Sequence, residues 1–229
     1  MILKKWEELP DFLRTDEVRP YYDILARRRG SLAVKRIFDV VVSALMLLVL
    51  APLFLVLAVA IKLDSPGPVF YRQVRVTQYG KEFRIFKFRS MVSDADKRGT
   101  LVTVSGDSRI TRVGHVIRKC RLDELCPLID ILRGTMTFVG TRPEVPKYVA
   151  AYTPEMMATL LLPAGVTSEA SILYKDEADL LDNASDVDAV YIRDVLPGKM
   201  KYNLDALKNF SFFSDIATMF QTVFAVLGK

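Results

Sequence analysis

The feature that most constrains this chain is an uncharged apolar run broken by proline, VVVSALMLLVLAPLFLVLAVAI, from Val40 to Ile61. As a helix it would reach ~33 Å at ~1.5 Å per residue, enough to cross a ~30 Å hydrocarbon layer. Pro52 stands near its middle, where it removes one backbone hydrogen bond and crowds the preceding turn. Basic residues flank both ends: Arg27, Arg28, Arg29, Lys35 and Arg36 before it, and Lys62, Arg72 and Arg75 after it. A simple span carries its Lys/Arg excess on one side. Two basic flanks and a central proline therefore predict a segment that enters the bilayer, turns and leaves on the same face. A straight span stays open, because prolines also occur in spanning helices. The buried helix of a soluble core is usually shorter or amphipathic. Ala58-Val59-Ala60 imitates a signal cleavage site, but the run is too long and starts too far from Met1 for a normal signal.

The chain has 229 residues and a formal charge of +5, which fits one catalytic-size domain plus an anchor. The positive excess suits an anionic membrane surface or phosphate-bearing substrates. It does not point to nucleic acid, because the basic residues are dispersed among many acids. Cys120 and Cys126 read as reduced thiols rather than a disulfide framework. With His115 as the single histidine, a Cys/His zinc site would need carboxylate help. No Walker loop, dinucleotide G-x-G-x-x-G or G-x-S-x-G elbow is present. The chemistry left is that of carboxylates, arginines and a metal.

Residues 1–31 read as a polar, cytosolic lead-in. After the apolar run, Asp64-Ser65-Pro66-Gly67-Pro68 is a turn, and Val69–Val76 and Glu82–Phe88 are strand candidates joined through Gly80. Ile110 to Cys120 reads as a helix with Ile110, Val113, Val116 and Ile117 on one face and Arg109, Arg112, His115, Arg118 and Lys119 on another. Leu122, Leu125, Leu128, Ile129 and Leu132 then recur at helical spacing, which puts Asp123 and Glu124 at a helix N-terminus. From spacing alone an ordinary capping role is the stronger reading for that pair. Thr153-Pro154-Glu155 opens another helix, which Leu161–Gly165 ends. The acid-rich stretch from Lys175 to Asp194 reads as a solvated face and loop. The C-terminal stretch with Phe210, Phe212, Phe213, Phe220 and Phe224 is either core or a helix lying on the bilayer.

Five pieces in one order change the balance for Asp123 and Glu124. They are Lys35-Arg36-Ile37-Phe38-Asp39; Ser65-Pro66-Gly67-Pro68-Val69-Phe70 with Arg72-Gln73; Phe86-Lys87-Phe88-Arg89-Ser90-Met91; Arg109–Gly114 with Ile117-Arg118-Lys119, running into Leu122-Asp123-Glu124-Leu125; and Val139-Gly140-Thr141-Arg142-Pro143-Glu144. In this combination the chain resembles the bacterial sugar transferases that are monotopic polyprenol-phosphate phosphoglycosyl transferases. The likeness runs from about Ser31 to at least Glu144. It implies a helix-break-helix held in one leaflet, an Asp-Glu pair and Mg²⁺. It also implies transfer of a phosphosugar from a nucleoside diphosphate sugar, with UDP-sugars foremost, to a polyprenol phosphate such as undecaprenyl phosphate, as the first membrane step of glycan assembly. By match, Asp123 is the nucleophile and Glu124 a Mg²⁺ ligand. Arg118 sits with phosphate, and Arg142 with the nucleotide diphosphate or base. Arg112, Lys87 and Arg89 are further substrate-binding candidates, and Pro52 is the membrane break.

The residue types suit those roles. A carboxylate can form an aspartyl-phosphate. Phosphoryl transfer is mostly positioning and charge neutralisation, which arginines and Mg²⁺ supply. The chain departs from the family pattern at Ala51, where serine is common, at Thr77, at Cys126-Pro127, and along Gly165–Ser171, which bears on the sugar pocket. The expected fold is α+β and helix-rich. A re-entrant anchor over 32–63 precedes a small cytosolic domain over 64–229 with a short β element and interfacial amphipathic helices. The expected place is the cytoplasmic face of the bacterial inner membrane, with self-association left open. The rival reading is a non-enzymatic scaffold that binds anionic lipid through the anchor and the basic helix.

Overall fold

The computed structural model describes residues 3–93, 95, 107–174 and 186–227. In chain order the helices are α1 (Arg19–Arg27), α2 (Arg29–Asp64), α3 (Arg112–Lys119), α4 (Pro127–Arg133), α5 (Pro146–Val149), α6 (Glu169–Leu173), α7 (Val187–Val190), α8 (Leu196–Lys208) and α9 (Phe212–Leu227). The strands are β1 (Phe70–Val76), β2 (Glu82–Phe88), β3 (Met136–Val139) and β4 (Ala164–Thr167).

The apolar run lies within α2, which continues as one 36-residue helix through Pro52. The expected break is therefore a proline inside a helix, not a gap in it. The missing N–H leaves the carbonyl one turn back without its partner. By length and composition α2 could cross a membrane, and only 11% of its most apolar window is buried. That low figure sets it apart from the core helix of a soluble protein. Its outward stripe, Ile37, Val41, Leu45, Leu48, Leu55, Val59 and Leu63, is exposed. Its inward side packs along the body. Phe38, Val42, Leu47 and Leu50 lie against Ile131, Met136 and Phe138, and Leu53, Phe54, Leu57 and Ile61 against Phe88 and Ile117.

Both ends of α2 are fastened to that body. Near the start, buried Asp39 accepts the Thr137 hydroxyl at 2.7 Å and the Phe138 amide at 3.3 Å. Lys35 donates to the Val139 carbonyl at 2.9 Å and pairs with Asp215 of α9. Arg36 donates to the Ile131 and Leu132 carbonyls at 2.7 and 3.0 Å, where α4 ends. The Lys35-Arg36-x-x-Asp39 pattern thus reads as a clamp between α2 and the β3–α4 layer. At the far end Asp64 accepts the Val113 amide at 2.9 Å. The Arg89 guanidinium donates to the carbonyls of Ser65 and Pro66 at 2.6 and 3.0 Å.

The first sheet is the expected hairpin, with β1 and β2 antiparallel and Phe70 opposite Phe88. The second pairs β3 with β4 in parallel and was not foreseen. Met136, Thr137 and Phe138 are all buried, so this strand carries no alternating pattern. The helix expected after Thr153 is a 3-10 helix, Met156–Leu161, and Pro163 delivers the chain into β4. Gly165 crosses Gly140 so closely that an added Cβ would lie 2.2 Å from its backbone.

The lead-in is folded into the same body. Leu3, Leu9, Leu13, Val18, Tyr21, Tyr22 and Leu25 are buried with Leu160, Leu161, Leu204, Leu207 and Phe210. Of the acid-rich stretch, Asp176, Glu177, Asp179 and Asp182 lie outside the described residues. Asp186 caps α7 through the Ala189 amide, and Asp188 binds Lys147 and Tyr148. In the C-terminal stretch Phe210 is buried, whereas Phe213, Phe220 and Phe224 stand exposed on α9. The stretch is therefore core at Phe210 and an exposed apolar face at Phe213, Phe220 and Phe224.

Candidate active site

The site begins with how α3 ends. Thr111 caps α3 by accepting the Gly114 amide at 3.0 Å. Gly114 sits against the Ser90 carbonyl, where a Cβ would come within 2.0 Å. The absent side chain lets α3 lie on the end of β2. After Cys120, Arg121 takes the left-handed conformation at φ 52°, which turns the chain into a 3-10 turn over Leu122–Leu125. A non-glycine residue rarely adopts that conformation unless its surroundings enforce it. Leu122 packs inward with Ile117 and Cys126, and Pro127 starts α4. Asp123 and Glu124 are left facing outward on the turn.

Neither carboxylate caps a helix. The residue before the 3-10 turn is Arg121 and the residue before α4 is Cys126, and neither end has a side-chain cap. Among the described residues Asp123 makes no hydrogen bond and no ion pair. Glu124 meets Arg121 at 3.7 Å. The capping reading therefore fails for both, and a half-buried carboxylate is left unclaimed.

Asp123 and Glu124 line an open cleft of about 500 Å³, mouth included, together with Arg75, Lys87, Arg142, Pro143, Gly165 and Val166. Strand alternation accounts for the cations on its wall. In the hairpin Tyr71 opposes Lys87, Gln73 opposes Ile85 and Arg75 opposes Phe83. Opposed residues project to the same face, so Arg75, Ile85 and Lys87 share one side. Asp130 of α4 accepts the Phe86 amide at 2.9 Å and so holds β2 beside the acidic turn. Arg142 comes from the loop after β3 and donates to the Val166 carbonyl at 3.5 Å. Next to it, Glu144 turns inward to the Tyr191 hydroxyl, with Lys199 at 3.7 Å.

The electrostatics follow from that crowding. Burial pushes the Lys87 ammonium below the usual lysine range, Arg142 and Arg75 push the same way, and Asp123 and Glu124 push back. Burial, then Arg142, also lowers Arg75, against a raising pull from Glu144. Burial raises the Cys126 thiol, which makes it a poor metal ligand or nucleophile. Among the described residues no three His, Cys, Asp or Glu side chains cluster as a metal cage. Magnesium does not need one: it is commonly held by one or two carboxylates with substrate phosphates and waters. The unclaimed Asp123 carboxylate beside Glu124 fits such an ion.

Of the residues singled out from sequence, Asp123, Glu124, Lys87 and Arg142 meet in this cleft. Three others are placed elsewhere. Arg118 is on α3 with its Nε donating to the Ser90 hydroxyl at 2.9 Å. Arg112 is exposed at the start of α3. Arg89 is buried and spends its guanidinium on the carbonyls that end α2, because that helix terminus lacks donors of its own. Arg75 was read only as a basic flank of the anchor. Hairpin register was the signal that places it beside Lys87. Gly165 and Val166, in the stretch that departs from the family pattern, form part of the wall.

Comparison with known proteins gives the family. The profile of the family described as bacterial sugar transferase matches residues 30–229. The chain is 34% identical over 197 residues to the UDP-N-acetylgalactosamine-undecaprenyl-phosphate N-acetylgalactosaminephosphotransferase of Aeromonas hydrophila, covering 85% of this chain and 44% of that protein. It is 34% identical over 196 residues to the UDP-glucose:undecaprenyl-phosphate glucose-1-phosphate transferase of Escherichia coli K12, covering 83% and 39%. A putative undecaprenyl-phosphate N-acetylgalactosaminyl 1-phosphate transferase of Bacillus subtilis is 39% identical over 125 residues, covering 55% and 70%. The chain thus spans less than half the length of the first two. The non-enzymatic scaffold reading gains nothing from these likenesses. On a match that covers almost all of α2 and everything after it, the chain belongs to the bacterial sugar transferase family.

Proposed function

We propose that this chain is a phosphoglycosyl transferase that moves a sugar 1-phosphate from a UDP-sugar to undecaprenyl phosphate, opening glycan assembly at the cytoplasmic face of the bacterial inner membrane. The observation that carries the reading is the unclaimed Asp123 carboxylate, set in one cleft with Glu124, Lys87 and Arg142. An oxygen of Asp123 attacks the phosphorus that bears the sugar. The P–O–P bond breaks and the nucleoside monophosphate leaves with the bonding pair. The phosphate oxygen of the polyprenol then attacks the same phosphorus and frees Asp123. Lys87 and Arg142 offset the charge that shifts onto the leaving phosphate. Glu124, beside Asp123, would hold Mg²⁺, which would supply further charge neutralisation at the phosphates.

The lipid acceptor requires the cleft to sit at headgroup level. The fastening of both ends of α2 to one body supports a segment that enters and leaves on the same face. The exposed stripe of α2 and the exposed Phe213, Phe220 and Phe224 of α9 are the surfaces offered to acyl chains.

The deciding experiment is nucleotide release from a panel of UDP-sugars with undecaprenyl phosphate and Mg²⁺. UMP is the expected product; UDP as product would make the protein a simple glycosyl transferase. Asp123→Asn should lose turnover by at least a thousandfold, together with the phosphosugar adduct trapped by donor alone. An adduct on another residue would overturn the assignment.

A further inference from the structure

We propose that Arg75 is a third phosphate-binding cation of this cleft and that it holds the diphosphate of the donor. The inference rests on the transferase reading above and deepens it. Arg75 shares the cleft-facing side of the hairpin with Lys87, and its guanidinium is held in place on two neutral acceptors. Nη1 donates to the Pro143 carbonyl at 3.2 Å and Nη2 to Gln73 Oε1 at 2.8 Å. These contacts orient the guanidinium without neutralising it. Among the described residues no carboxylate lies within ion-pair distance of Arg75 or of Lys87.

Three other enclosed cations of the fold are paired with carboxylates, whereas buried Arg89, like Arg75, rests on neutral acceptors, there closing the end of α2. Lys35 has Asp215, Arg109 has Asp107, and Lys199 has Glu144. Glu144, one residue beyond Pro143, could have turned toward Arg75, but its carboxylate points to Tyr191 and Lys199 instead. Three like charges, Arg75, Lys87 and Arg142, are therefore gathered on one wall at a cost that Asp123 and Glu124, across the cleft, offset only in part. A ligand with several negative charges in a row offsets it. A UDP-sugar spreads its two charges over adjacent phosphates, as the cations are spread along the wall, whereas a polyprenol phosphate gathers about as much charge on one phosphorus, and a guanidinium fork matches adjacent phosphate oxygens. The donor is thus the better occupant than the acceptor's lone phosphate.

The test compares UDP and UMP binding by calorimetry in the full chain in detergent, for wild type, Arg75→Gln, Arg75→Lys and Arg72→Gln. Arg72 lies on the opposite face of the hairpin, over the Phe86 ring, and serves as reference. Arg75→Gln should lose at least tenfold in UDP affinity, with UMP affinity moving less than threefold. Arg75→Lys should fall between, and Arg72→Gln should stay within twofold of wild type. In the unaltered protein, UDP but not UMP should shield Arg75, and not Arg72, from phenylglyoxal, read by peptide mass spectrometry. This readout holds even if Arg75→Gln fails to fold. Absence of shielding, or unchanged UDP affinity in a folded Arg75→Gln protein, overturns the proposal. So does a raised KM for undecaprenyl phosphate with UDP binding intact, which would hand Arg75 to the acceptor. A wild type that binds UDP yet releases no UMP from any UDP-sugar would sink the transferase reading instead and leave the cation site standing.

Discussion

Asp130 accepts the Phe86 amide at 2.9 Å, and this one bond ties the edge of β2 to the helix that follows Asp123 and Glu124. Lys87, the next residue on β2, is thereby held across from the acidic turn. Removing the acceptor in Asp130→Ala leaves a half-buried amide unpaired, at about 1 kcal/mol. We expect a lower thermal midpoint and a fall in kcat larger than any rise in KM for the donor. Asp130→Asn keeps an acceptor and should recover most of both. Burial raises the Asp130 carboxyl. With the folded-state value above the unfolded one, its contribution is full below the ordinary aspartate range, about pH 3.9, and is lost as pH rises through the folded value. The Asn variant should flatten that slope in pH-dependent denaturation.

The clamp at the start of α2 should be worth more than a surface ion pair. Lys35 is 3% exposed and Asp215 15%, so Lys35→Met strands a carboxylate in a dry place. Breaking such a pair costs about 3–5 kcal/mol. Asp39→Ala strands the Thr137 hydroxyl and the Phe138 amide, and should cost about 1–3 kcal/mol per group left unpaired. Denaturant titration in detergent micelles measures both. The double variant Lys35→Met with Asp215→Leu should recover much of the first loss.

Gly165→Ala should disturb the site without touching its charged groups. The new methyl would meet the Gly140 backbone at 2.2 Å, where neither strand has slack. Overpacking of this kind costs about 1–3 kcal/mol. It should also displace Val166, whose carbonyl accepts from Arg142. The expected outcome is a change in the ranking of UDP-sugars by kcat/KM, because the shift falls on the cleft wall.

Lys87 gives the pH signature. Its charge is present below its folded pKa and absent above it, and burial with Arg142 and Arg75 sets that pKa below the usual ~10.4. Donor kcat/KM should therefore fall on the alkaline side earlier than an unperturbed lysine would allow. Lys87→Arg should carry the plateau to higher pH, and Lys87→Met should remove the titration with a loss of about 10²-fold or more. Stability runs the other way: the unfolded chain binds this proton more readily, so unfolding free energy rises with pH across that window.

Much of the architecture was legible because it rests on local rules. Proline and the run length marked α2, and turn residues at Gly80 marked the hairpin to within one residue. Asp123 and Glu124 stood out only through the ordered motifs, since spacing alone favoured a cap that does not exist. The second sheet stayed hidden because β3 is four buried residues paired with a strand 28 positions away, at Met136 and Ala164. Arg89 misled because a guanidinium in a basic motif looks the same whether it meets phosphates or backbone carbonyls. Arg75 was passed over for the opposite reason. Its neighbours in sequence, Val74 and Val76, mark only a strand, and Lys87 comes beside it only when the hairpin folds.

The double fastening of α2 means that the greasy helix is a structural wall of the folded body and not a leash on which an independent domain hangs. A shortened protein starting after Asp64 would lay bare Ile131, Met136, Phe138 and Phe88 in water and take the Ile61 carbonyl from Arg89. Such a fragment should clump rather than yield a water-soluble catalyst.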